Sequence, residues 1–140
     1  MIKILSIQEV REIAFELARE TMSWNEPIPD FNTRFPNILE SCLTTPFQTF
    51  DKKHLYKGLE EKAAILSYLM IKNHPFSNGN KRIAVTTLLV FFHLNGRWLK
   101  VSNQELYNFA VWVASSPPQV SSETIQAIKR FINKNVVILE

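Results

Sequence analysis

Glycine and cysteine are scarce in this chain of 140, with three of the first and one of the second. So little glycine argues against a strand-rich fold, which needs many tight turns. A single cysteine, Cys42, excludes an internal disulfide framework and fits a reducing compartment. It sits in the apolar stretch 38–43 with no basic neighbour to lower its pKa, so it reads as a buried structural thiol. Long apolar runs are missing too. Residues 83–94 come nearest, but Thr86, Thr87 and His93 interrupt them, and the stretch is too short to span a bilayer. Residues 1–5 are too short for the apolar segment of a signal peptide. The expectation is a soluble, cytoplasmic protein with no membrane partner. Charge of one sign is also in short supply. The net charge is +3, and the basic residues cluster no further than doublets such as Lys52-Lys53 and Lys81-Arg82, so nucleic acid is not an expected partner.

What is present suits a packed core: 46% hydrophobic and 21% charged residues, at a length that favours one domain over residues 1–140. Ser6-Ile7-Gln8-Glu9 has the spacing of a capping box. Val10, Ile13, Ala14, Leu17 and Ala18 come next at helical period, which predicts a helix over about residues 7–22. Residues 24–35 carry Pro27 and Pro29 and read as a loop or a short hairpin. Pro36 opens a short helix over 36–44, with Pro46 beyond its end. Residues 59–73 and 83–94 are apolar on most faces and must form the centre of a helical bundle. Asn95-Gly96 stops the second of these. A second capping box, Ser102 to Glu105, starts a helix to Ala114, and a last helix runs over about 122–133. The apolar tail 136–139 docks or pairs. The fold class is all-α.

Between the two central helices lies His74-Pro75-Phe76-Ser77-Asn78-Gly79-Asn80-Lys81-Arg82. The loop opens into a helix at about Asn80, so free N–H groups and the positive helix end point into it. Lys81 and Arg82 add full charge there, and Asn78-Gly79 permits left-handed backbone, so N–H groups can converge on an anion. His74, closing the preceding helix, is suited to act as a general base for a hydroxyl. Phe76 is the apolar anchor. The residues alone leave two readings open: this anion site with a base, or an ordinary helix–turn–helix connector with a capping histidine and surface charges.

The segment resembles the signature of the Fic/Doc family, His-x-Phe-x-Asp/Glu-Gly/Ala-Asn-Gly/Lys-Arg. His74, Phe76, Gly79, Asn80, Lys81 and Arg82 match it. Lysine at the eighth position, and Val85 where a second arginine often stands, resemble the Doc branch, the death-on-curing toxins. Similarity extends to Arg34, to residues 38–41 and Pro46, to Glu60-Glu61-Lys62-Ala63-Ala64, to Leu94-Asn95-Gly96 and to Glu105-Leu106-Tyr107, over about residues 3–132. The resemblance implies a single Fic-type helical domain, with residues 27–38 as a flap that aligns a target peptide. It implies that His74 takes the proton of a target hydroxyl. Asn78, Gly79, Asn80, Lys81 and Arg82 would bind the phosphates of ATP, the co-substrate. Doc proteins pass the γ-phosphate to a threonine of elongation factor Tu and halt translation. Transfer of AMP is the alternative within the family.

One position departs from the signature. Asn78 stands where Asp or Glu normally holds Mg²⁺, and a neutral amide oxygen lacks the charge that a hard cation prefers. That leaves room for a weakened member acting as a non-catalytic binding module. The inhibitory motif Ser/Thr-x-x-x-Glu-Gly/Asn, which restrains many family members, does not occur in these residues, so the resemblance implies a separate antitoxin. His54 and His93 show no metal-ligand spacing. Trp24, Trp98 and Trp112 read as packing residues.

Overall fold

The computed structural model describes residues 1–21 and 26–140. Helix α1 covers residues 7–21. The capping box forms as the sequence requires: Glu9 N donates to Ser6 Oγ at 3.1 Å, and Ser6 N to Glu9 Oε1 at 3.0 Å. The helix is not α throughout. Val10–Ala14 forms a π turn between the α segments Ile7–Glu9 and Phe15–Thr21. This corrects the expected stripe. Val10, Ala14, Phe15 and Ala18 are buried, whereas Ile13 is 45% exposed. A π turn takes in an extra residue and rotates the next turn of the helix, so a strict 3.6 period fails across it.

Residues 26–35 form no strand, and the hairpin that 24–35 could have formed is absent from the described part of it. Pro27 and Pro29 have no N–H to give a ladder. Instead Phe31–Thr33 makes a 3₁₀ turn, with Asp30 Oδ1 accepting from Asn32 N at 2.9 Å. Helix α2, Pro36–Thr44, comes next with Pro36 in its first turn and Leu39, Cys42 and Leu43 buried. A two-residue hairpin appears further on, where none was expected. Strands β1, Thr49–Phe50, and β2, Lys53–His54, pair antiparallel across Asp51 and Lys52, both at positive φ.

Helices α3, Leu59–Lys72, and α4, Asn80–Leu94, form the central pair. Every residue of α4 from Arg82 to Phe92 is buried. That is why its sequence shows no polar face: α1, α3 and α5, with strand β3, surround it. Asn95 closes α4 and Gly96 turns the chain at φ 73°. Strand β3, Arg97–Leu99, helix α5, Asn103–Ser115, and helix α6, Ser121–Asn135, complete the bundle. The tail pairs rather than merely docking: β4, Val136–Ile138, lies antiparallel to β3 with Trp98 opposite Val137. The architecture is mostly helical with two small strand pairs, in agreement with the fold class read from the sequence. No helix among the described residues is long and apolar enough to cross a membrane.

Candidate functional site

The loop between α3 and α4 is built from the inside outward. Phe76 is 1% exposed and packs on Phe15 and Phe31, with ring centroids 5.5 and 5.9 Å away. Asn80, buried at the start of α4, fastens the loop over that anchor. Its Oδ1 accepts from Phe76 N at 3.0 Å, and its Nδ2 donates to Phe76 O at 2.9 Å. The amide thus mimics a strand partner for one residue. Its Nδ2 also lies 3.5 Å from His74 Nδ1, too far to fix the imidazole tautomer. His74 itself is exposed and sits at φ 50°, the left-handed residue that ends α3. A non-glycine residue there costs on the order of 1 kcal/mol, and such positions concentrate at functional sites.

Gly79 precedes α4 at φ 71°, and its N donates to Asn78 Oδ1 at 2.7 Å. A Cβ at Gly79 would stand 2.9 Å from Pro27 O and 2.8 Å from Ile28 Cδ1. The segment entering the expected flap therefore lies directly on the loop. Its far end is tied as well, through Phe35 N donating to Pro75 O at 2.8 Å.

A cavity of about 310 Å³ opens here, lined by His74, Asn78, Gly79, Asn80 and Lys81, together with Ser77 and Glu26. Five of the residues singled out from the sequence thus share one space. Phe76 lies beneath it. Arg82 is not brought to it: its guanidinium is buried and donates to Ala18 O in α1 and to Glu26 O. Burial pushes its pKa below the usual arginine value, and the Glu26 carboxylate works in the opposite direction. In this conformation Arg82 ties α4 to α1 and to the residue that precedes the flap instead of facing a phosphate.

Sequence reasoning missed Glu26. Its Oε1 accepts from Lys81 N at 3.1 Å, and its Oε2 lies 3.2 Å from Lys81 Nζ. Nothing local marks it, because its partner is 55 residues away. The only available hint was general, that a helix N-terminus beside a lysine attracts an anion.

The donor set does not make a ready Mg²⁺ site. Among the described residues no three His, Cys, Asp or Glu side chains gather around a common point. Asn78 offers one neutral oxygen, already accepting from Gly79 N, and the carboxylate in the cavity is engaged by Lys81. Larger cavities lie elsewhere among the described residues, and size does not select the site. One, about 710 Å³, is bordered by Arg11, Glu12, Glu16, Arg19 and Asp30. Another, about 640 Å³, touches Lys62 and His54, and a third, about 350 Å³, lies between Phe109, Trp112 and Phe131. Lys62 is buried with its ammonium near Pro46 O, Tyr56 O and His54 Nδ1, so it holds the 46–58 loop in place. Cys42 is fully buried, which pushes its thiol pKa up to about 12 and leaves it inert, as its sequence context suggests. Trp98 packs on His93 with centroids 6.2 Å apart, whereas Trp112 is 48% exposed and does not fit the packing role read for it. Trp24 lies outside the described residues.

A model of the Fic/DOC family matches residues 4–92, which include α1, the flap, both central helices to near the end of α4, and the whole loop. The chain belongs to the Fic/DOC family. A curated relative, named Toxin Doc, from Mycolicibacterium smegmatis is 31% identical over 67 residues, which is 48% of this Fic/DOC chain and 52% of the relative. The chain therefore spans about half the length of the curated relative it matches. No solved structure matches.

Proposed function

We propose that this Fic/DOC protein is a Doc-like toxin that transfers the γ-phosphate of ATP to a Ser or Thr hydroxyl of a protein target. By family resemblance the target is elongation factor Tu, so the outcome is arrested translation. A separate antitoxin restrains the enzyme. The relative named Toxin Doc supports the toxin assignment. The observation that carries the chemistry is the placement of His74. It stands exposed at a cavity that the positive end of α4, with Lys81, also lines.

In this reading the target hydroxyl approaches His74, which accepts its proton through a ring nitrogen. The hydroxyl oxygen forms a bond to the γ-phosphorus, the bond from phosphorus to the β–γ bridging oxygen breaks, and ADP leaves. The Lys81 ammonium and the N–H groups at the start of α4 meet the charge on the phosphate oxygens. Such transfer depends on positioning and charge more than on covalent participation of the protein. Asn80 keeps His74 and the loop in register through its two bonds to Phe76. A bound Mg²⁺ would supply charge neutralisation, with phosphate oxygens as its main ligands and Asn78 as a weak protein donor.

Asn78 also favours a second reading, a member that binds a partner without transferring anything. Incubation with elongation factor Tu, Mg²⁺ and ATP labelled at the α- or the γ-phosphate separates the possibilities. Label from the γ-position alone, lost in His74→Ala, is the expected result. Label from the α-position makes the protein an AMP-transferase. Transfer by Asn78→Asp but not by wild type identifies a site short of metal. No label with any variant removes the enzyme reading for this target.

A further inference from the structure

The positive end of α4 is not vacant: a carboxylate of the same chain already stands on it. Glu26 gives one oxygen to Lys81 N at 3.1 Å and the other to Lys81 Nζ at 3.2 Å. Its side chain is 13% exposed, against 31% for that of Lys81. These are the two kinds of donor that a phosphate would use, a first-turn N–H and an ammonium. Both oxygens of the carboxylate are directed at Lys81, so Glu26 now neutralises the charge that would hold an anionic ligand.

The main chain around Glu26 is anchored independently of this contact. Its carbonyl accepts from Arg82, Pro27 O and Ile28 lie over Gly79, and Phe35 N is bonded to Pro75 O. The side chain can therefore turn away by χ rotation while the main chain of residues 26–28 keeps its place.

We propose that Glu26 is an internal competitor for the phosphate site, and that a phosphate-bearing ligand binds only by displacing it from Lys81. The inference rests on the reading of the 74–82 loop as a phosphate site. It adds that Glu26, just before the flap, sets how strong an anion must be to enter. A weakly held anion does not displace the carboxylate, whereas a polyphosphate, with several charged oxygens, does. The apparent affinity of wild type is the intrinsic affinity lowered by the small fraction of molecules in which Glu26 has turned out. Removing the charge removes that reduction. Loss of one charge-assisted pair corresponds to a gain in affinity of about tenfold to a hundredfold.

The test is calorimetric titration of the full chain with ATP and, separately, with inorganic triphosphate, without Mg²⁺. Wild type, Glu26→Gln, Lys81→Met and the double variant are compared, with thermal unfolding of each to establish that it is folded. Glu26→Gln keeps the shape of the side chain, and Glu26→Ala serves if the amide retains the contact. The expected result is binding at least about tenfold tighter in Glu26→Gln than in wild type for both ligands, with a smaller gain when Lys81 is Met, where Glu26 keeps only its contact to the main-chain N–H of residue 81. Unchanged or weaker binding in both Glu26 variants overturns the proposal while leaving the phosphate site intact. Weaker binding in particular would make Glu26 a contributor to the ligand's own contacts. Absence of binding in every variant, with all of them folded, removes the phosphate site itself and the proposal with it.

Discussion

Replacing Gly79 by alanine tests how closely the flap lies on the loop. Two costs are separable. The first is the backbone: φ 71° is left-handed, and alanine there costs about 1 kcal/mol net. The second is contact. The new Cβ would stand 2.8 Å from Ile28 Cδ1, which is the mobile end of a side chain, and 2.9 Å from Pro27 O, which is main chain and cannot step aside alone. Either the collision persists, at about 1–3 kcal/mol for overpacking, or residues 26–28 lift and Arg82 loses Glu26 O, a charged hydrogen bond of about 1.5–3 kcal/mol. Gly96 is the control. Its φ is 73° and nothing stands within 4 Å of its added Cβ, so Gly96→Ala carries the backbone cost alone. Gly79→Ala should therefore lose about 2–4 kcal/mol and Gly96→Ala about 1 kcal/mol. At this chain length the shifts in Tm are about 8–16 °C and about 4 °C. Urea unfolding monitored by circular dichroism gives both free energies. Equal losses in the two variants would refute the close approach of residues 27–28, and with it the geometry of the cavity wall.

Other substitutions probe other parts of the site. Phe76→Ala should cost about 3–5 kcal/mol in urea unfolding, because a ring that is 1% exposed leaves a cavity between Phe15 and Phe31. His74→Gly should abolish transfer yet leave the protein as stable or slightly more so, since glycine relieves the strain at φ 50°. Arg82→Met should cost about 2–4 kcal/mol, because it leaves Ala18 O and Glu26 O without their donor. Cys42 should not react with a thiol reagent at pH 8 in the native state, and its labelling should track the urea transition. Its pKa is raised from 9.0 to about 12, so the folded state keeps a proton that the unfolded state loses. Stability contributed by the thiol is thus complete below pH 9 and falls by about 1.4 kcal/mol per pH unit above it. Urea midpoints of wild type and Cys42→Ala between pH 8.5 and 10.5 should therefore converge as pH rises.

The sequence by itself determined the elements whose signals act within a few residues. Ser6 with Glu9 and Ser102 with Glu105 start helices through bonds three positions apart, and Pro36 and Asn95-Gly96 mark a start and a stop in the same local way. The apolar richness of 59–73 and 83–94 was enough to place those helices at the centre, since a helix without a polar face has to be enclosed. It also placed the loop between them, the family signature within that loop, and the buried anchor Phe76. Only the tertiary structure decided the rest. The π turn in α1 exposes Ile13 because core packing, not period, selects the buried face there. The tail finds β3 across the whole of α5 and α6. Arg82 turns from the cavity to Ala18, and Glu26 takes its place beside Lys81, through contacts between residues 55 to 64 positions apart. Short-range hydrogen bonding leaves a trace in adjacent letters. The choice of which charged group meets which partner depends on where the packed helices bring them, and no spacing in the sequence records it.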